Sequence, residues 1–219
     1  SCGGMDPRLL IDGLILYLGL LVLLTFHEFG HAWMAWRFGD NTAQAQGRVS
    51  LNPLVHIDPL GTVVLPLLMV FLAPGGFLIG WAKPVPVNPE NLRNPRSDEI
   101  MVTLAGPWMN LLLAIAIMAL ARLGYGVHSH GLTEVCLNLA HLSLLLCFFN
   151  LLPIPPLDGS QVVRGLIGMS HETYQQIARY GILILIVVLQ IPLVQRLLDS
   201  TTTNSWRAIA GWFRLPIGA

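Results

Sequence analysis

"TFHEFGHAWMAW", residues 25–36, closes an apolar run that opens at Leu9 as "LLIDGLILYLGLLVLLTF". A run of this length and composition suits a helix that spans a lipid bilayer, which needs about 20 apolar residues. His27 and His31 stand four apart, so on that helix both imidazoles project from one face and can grip a single zinc ion. Glu28 lies beside that face. In an H-E-x-x-H pattern the glutamate is the usual general base toward water at the metal. Ionisable groups inside an apolar helix are costly, and their presence there points to function rather than packing.

Composition fits the same picture. Of 219 residues, 54% are hydrophobic and 11% are charged, and the mean hydropathy is +0.64; a soluble domain carries about 25% charged residues. Twelve basic residues balance twelve acidic ones, which gives no reason to expect a nucleic-acid partner or a polybasic lipid patch. Residues 1–4, ahead of Met5, read as an expression scar outside the fold, and Cys2 goes with them. Cys136 and Cys147 share one apolar run at a spacing that suits neither a metal knuckle nor a disulfide framework, so they read as small core residues.

Three further stretches are candidates to span: residues 101–121, residues 135–152, and the shorter 180–195. Residues 59–82 are also uncharged and long enough, but Pro66 and Pro74-Gly75-Gly76 interrupt them, which makes a re-entrant or bent segment as acceptable as a straight span. In residues 42–52, Ala43, Ala45, Gly47, Val49 and Leu51 alternate with Gln44, Gln46, Arg48 and Ser50, the period of a strand or a polar hairpin. The tail places Trp206, Ile209 and Phe213 on one helical face, as an interfacial helix would. The expected fold is an all-α integral membrane protein: a polytopic helical bundle with a short β-strand or hairpin region and a re-entrant or bent membrane segment. Residues 5–219 are expected to form one membrane-embedded domain, with a core over about 9–168 and a C-terminal helix and tail over 177–219.

A catalytic zinc site takes three protein ligands and keeps a fourth position open. A candidate third ligand stands in "FNLLPIPPLDGS", residues 149–160, where Pro153, Pro155 and Pro156 break a membrane helix just before Asp158. The unwound backbone there must face protein or water. Asp158 therefore reads either as a ligand to the ion or as an ordinary helix N-cap.

With "HEFGH" near the end of one membrane helix and "NLLPIPPLDG" after a later one, the chain resembles the site-2 protease family of intramembrane zinc metalloproteases. "AGPWMN" (residues 105–110), "GWAKPVPVNP" (residues 80–89) and "NPLVHIDPLG" (residues 52–61) are similar to segments that recur in that family. The resemblance implies one zinc ion per chain held by His27, His31 and Asp158, with Glu28 activating water and Asn150 assisting at the oxyanion or substrate. It also implies a strand near residues 42–52 that pairs with an unwound substrate, a membrane-protein substrate with a transmembrane helix, and a lipid bilayer as the medium. With 219 residues, the expectation is a minimal core without the PDZ or CBS domain of larger members. His56 and His141 receive no role beyond hydrogen bonding, and His128 and His130 fall on the opposite side from the zinc.

If one ion joins the end of the first helix to Asp158, both lie on one side of the membrane. Residues 101–121 and 135–152 then go out and come back, and residues 59–82 cannot cross once. The site side carries Arg37, Arg48, Lys83, Arg93, Arg96, Arg164 and Arg179, against Arg8, Arg122, Arg196, Arg207 and Arg214 opposite. That asymmetry, seven against five, is a slight preference for a site facing the cytoplasm; the expected location is a bacterial cytoplasmic membrane. A membrane metal carrier or sensor using the same His and Asp residues is the alternative, but such a site has no need of Glu28. A silent relative that only binds helices would have no need to keep it either. The absence of G-x-S-x-G argues against a serine hydrolase.

Overall fold

The computed structural model describes residues 7–72, 78 and 80–215. Among them, three helices are long and apolar enough to cross a membrane: α1 (Pro7–Arg37), α4 (Pro95–Gly126) and α5 (His130–Asn150). Between α1 and α4 lie the four-residue α2 (Thr42–Ala45) and α3 (Leu65–Leu72); after α5 come α6 (Asp158–Ile167), α7 (His171–Ala178), α8 (Gly181–Leu189) and α9 (Pro192–Trp212). The protein is an all-α integral membrane protein. Leu20 and Leu23 of α1 are nearly inaccessible, whereas Leu18 and Val22 face outward and are 60% and 46% exposed. An outward apolar face is what lipid requires, because the bilayer core is itself the apolar solvent.

α4 packs along both α1 and α5 and forms the centre of the bundle. The end of α1 meets the beginning of α4: Ala35 packs with Leu92 and Val102, and Arg93 N donates to Phe38 O at 3.1 Å. α4 therefore leaves from the end where α1 finishes, and α5 returns to it. This is the out-and-back hairpin expected for residues 101–121 and 135–152.

Residues 59–82 make the bend expected of them. Asp58 accepts hydrogen bonds from the amides of Leu60 and Gly61 at 3.1 and 2.7 Å, which caps a wide π-type helical stretch over Pro59–Val64. α3 continues it as far as Leu72, and Val70 lies against Gly13 near the start of α1. The chain then returns to its point of entry. Trp81 N donates to Gly61 O at 3.1 Å, Thr62 Oγ1 to Trp81 O at 2.7 Å, and Lys83 N to His56 O at 2.9 Å. Pro66 is accommodated early in α3, and Pro74-Gly75-Gly76 lie outside the described residues, as do residues 1–4.

One sequence expectation is corrected. Residues 42–52 form no strand: Thr42–Ala45 are helical, Gly47 turns at φ +68°, and Asn52 caps the turn at Pro53. A strand needs a partner ladder, and no strand occurs among the described residues. Alanine and glutamine prefer helix in its absence. Arg48 instead turns inward and donates to the carbonyl oxygens of Val55 (2.6 Å), Lys83 and Pro84, locking this loop to the returning segment. The tail has the apolar face expected of it, and that face lies on the bundle. Trp206, Ile209 and Phe213 pack on Met118, Ala121, Cys136 and Ala140, and Trp206 Nε1 donates to Leu137 O at 3.0 Å. α8 and α9 together can span, bent by 81° where Pro192 begins α9.

Asp40 fixes the loop that leads into α4. It accepts from Thr42 Oγ1, from Asn91 Nδ2 at 3.0 Å, from Asn88 N at 2.7 Å and from Thr42 N at 3.0 Å. Burial alone would raise its pKa, but these hydrogen bonds outweigh burial and hold the carboxyl below the usual carboxylate range.

Single cysteines placed at Asp58 and at Lys83 are expected to react with a membrane-impermeant maleimide from the same side of the membrane. Labelling from opposite sides would show that residues 59–82 cross it.

Candidate metal centre

His27 and His31 lie on the last turns of α1, on the face turned toward α4; His27 is buried and His31 nearly so. Their Nε2 atoms stand 3.1 Å apart. Asp158 enters from the other end of the chain. After α5 the segment Pro153–Pro156 leaves the helical path, with a cis peptide bond between Pro155 and Pro156, and α6 begins at Asp158. The carboxylate is not the helix cap, since Leu157 occupies that position. Its Oδ2 atom lies 3.1 Å from His27 Nε2 and 3.4 Å from His31 Nε2. The helix N-terminus beneath it favours negative charge. Gly159 permits this entry: a side chain there would collide with the carbonyl oxygens of Leu151 and Leu152.

α6 is held in place by polar contacts to α4. Arg164 pairs with Glu99, and Arg96 donates from Nε to Gly165 O at 2.8 Å and from Nη2 to Leu166 O at 2.7 Å. Tyr174 of α7 supports it from behind, its hydroxyl 2.8 Å from Ser160 Oγ and its ring under the Arg164 guanidinium.

The donor set suits a zinc ion. Atoms sharing a tetrahedral ion at about 2.0–2.1 Å stand about 3.3 Å from one another. The three separations found are 3.1, 3.1 and 3.4 Å. Asp158 Oδ2 is buried and makes no well-directed hydrogen bond, the state of an atom turned toward a missing partner. His31 Nδ1 lies 2.8 Å from Val102 O, a carbonyl that can only accept, so Nδ1 carries a proton and Nε2 is the nitrogen left to bind an ion. Gly106 of α4 passes directly against the two rings. A β-carbon there would overlap His31 Nε2 and come within 2.7 Å of His27 Cε1.

These residues line a cavity of about 420 Å³ whose walls include Glu28, Trp81, Pro84, Val85, Glu99, Asn150 and His171. Glu28 is held by one oxygen: Val85 N donates to its Oε2 at 3.1 Å. Asn150 reaches the wall, but its amide nitrogen donates to Leu146 O at 2.9 Å within α5. The structure thus brings His27, His31 and Asp158 to one point, and puts Glu28 and Asn150 on the wall of the same cavity.

The remaining histidines stay out of the cluster. His56 Nε2 lies 2.9 Å from Ser50 O, and burial pushes its pKa down. His141 meets the Trp206 ring edge-on at 6.2 Å, and His128 and His130 sit at the far end of α4 and α5. Cys136 and Cys147 are buried and free. Sequence reasoning gave no role to Asn110, the last residue of "AGPWMN", which is wholly buried with its Nδ2 atom 3.1 Å from His27 Nδ1. The available signal was its position four residues after Gly106, on the same face of α4.

The family model Peptidase family M50 matches residues 15–130 and 125–191. The chain belongs to peptidase family M50. It is 39% identical over 186 residues to "Putative zinc metalloprotease YwhC" of Bacillus subtilis, covering 81% of each chain. It is 35% identical over 191 residues to "Putative zinc metalloprotease Rip2" of Mycobacterium tuberculosis, covering 86% of this chain and 68% of the relative. "Stage IV sporulation protein FB" of Bacillus subtilis is 30% identical over 147 residues, 67% of this chain and 48% of that protein. No solved structure matches the chain. As a member of the M50 family, the protein is a zinc metalloprotease of the membrane.

Because Gly106 leaves no room for a side chain beside the rings, Gly106→Val is expected to weaken zinc binding at least about tenfold, with an overpacking cost of about 1–3 kcal/mol. Zinc content after purification and a chelator-competition titration would check this; wild-type zinc affinity in the variant would contradict the packing described.

Proposed function

We propose that this M50 protein is an intramembrane zinc endopeptidase, a single membrane-embedded domain that hydrolyses peptide bonds of substrates with a transmembrane helix. The observation that carries the reading is the convergence of ligand atoms from His27, His31 and Asp158 within 4.8 Å of one another, in a cavity that also presents Glu28. In this reading the three residues hold one zinc ion per chain, two neutral imidazoles and one carboxylate leaving a position open. The bound ion supplies Lewis acidity, polarising a carbonyl oxygen and making water more acidic.

Glu28 manages the proton. Its carboxylate takes a proton from the attacking water and delivers it to the amide nitrogen that leaves. The hydrogen bond from Val85 N anchors one carboxylate oxygen. Asn150 spends one amide hydrogen on Leu146 O, and an amide has two; the second is available to steady negative charge growing on the scissile carbonyl oxygen.

A transmembrane substrate is the fitting one because the cavity stands where α1, α4 and α5 meet, inside the apolar bundle. Part of its wall comes from the irregular segments 80–87 and 156–157, and non-helical backbone at membrane depth is tolerated where it borders protein or water. The slight excess of basic residues on the site's side supports a cavity facing the cytoplasm.

The test is cleavage of a purified single-helix membrane substrate by zinc-loaded protein and by Glu28→Gln. The variant is expected to keep zinc and to lose at least about a hundredfold in rate, the scale of a general base. Cleavage by Glu28→Gln at the wild-type rate would remove Glu28 from the chemistry.

A further inference from the structure

We propose that Asn110 is a positioning residue for the zinc site: its side-chain oxygen accepts the Nδ1 proton of His27 and so holds that ring in the tautomer that presents Nε2 to the ion. The inference rests on the ligand set proposed above.

Asn110 is 0% exposed, and its amide meets His27 Nδ1 at 3.1 Å. The amide is placed with Nδ2 toward the ring and Oδ1 buried without a partner. The two ends of an amide are nearly isosteric and exchange by a half-turn. The metal bond selects the exchanged orientation when the ion is bound. An amide donor at Nδ1 would force the His27 proton onto Nε2, where it would point at Asp158 and block that bond. With Oδ1 turned to the ring, Nδ1–H donates and the Nε2 lone pair is free.

The neighbouring ligand solves the same problem with backbone. His31 Nδ1 has the Val102 carbonyl at 2.8 Å, so its tautomer is fixed without a side chain. For His27 that task falls to a side chain of α4. Asn110 is suited to it because it is pinned from the other side: Ser143 Oγ of α5, also wholly buried, donates to Asn110 O at 2.7 Å. Outer partners of this kind orient a ligating imidazole and raise its basicity, and their loss costs about 10–100-fold in metal affinity.

Zinc affinity of the full chain in detergent, measured by competition with a chelator, separates the possibilities. Asn110→Leu is expected to bind zinc about 10–100-fold more weakly. Asn110→Asp, whose carboxylate can only accept, is expected to stay within about threefold of wild type. Leucine leaving affinity unchanged, or aspartate losing as much as leucine, would overturn the role of Asn110. If aspartate prevents folding, the zinc-loaded wild type decides by histidine-selective 15N NMR: a slowly exchanging Nδ1 proton on His27 supports the proposal, and a freely exchanging one overturns it. His27→Ala tests the ligand set itself. If it keeps wild-type affinity, the site assignment fails; if it loses zinc while Asn110→Leu does not, only the role of Asn110 fails.

Discussion

Everything else in this protein serves the meeting of three lone-pair atoms. Two come from neighbouring turns of α1, and the third from the first residue of α6, far along the chain. None of the three has water around it in the usual amount: His27, His31 and Asp158 are buried or nearly so, in a bundle that is apolar outside as well as inside. Groups of that kind are tolerated in such surroundings when they face one another or an ion. The separations of 3.1 to 3.4 Å among them are those of atoms that share a partner.

Holding that geometry is a packing problem, and α4 solves most of it. Gly106 lets the helix approach both rings, Val102 fixes His31 from its backbone, and Asn110 stands against His27. Near the start of the same helix, Arg96 and Glu99 anchor α6 and so set where Asp158 arrives. One helix thus contacts both halves of the centre. The returning segment 80–89 closes the cavity opposite and grips Glu28 through Val85, while Arg48 fastens that segment to the loop after α1. Extended backbone persists here because its polar groups are answered by side chains and by carbonyl oxygens of the entering strand of chain.

Much of this was readable from local pattern. Four-residue spacing places His27 and His31 on one face whatever the fold, and three prolines unwind the chain before Asp158 wherever that chain goes. The bend of residues 59–82 followed from topology once both ligand groups had to share a side. What local pattern does not encode is the partner of a face. The alternation in residues 42–52 looked like a strand, but a strand exists only beside another, and Thr42–Ala45 turned helical while Arg48 went inward. The amphipathic tail has an apolar face, as read, but its period does not say that this face meets Met118 and Cys136 of the bundle. Asn110 escaped notice for the same reason: its chemistry depends on which face of α4 crosses α1.

The central claim is that one zinc ion is held by two imidazoles and one carboxylate drawn from α1 and α6. X-ray absorption at the zinc edge of the purified protein tests it most directly. The account predicts one zinc per chain, light-atom ligands only with two imidazole scattering signatures, and loss of that signal in Asp158→Ala. Sulfur in the coordination sphere, or an unchanged spectrum in the Asp158 variant, would contradict it.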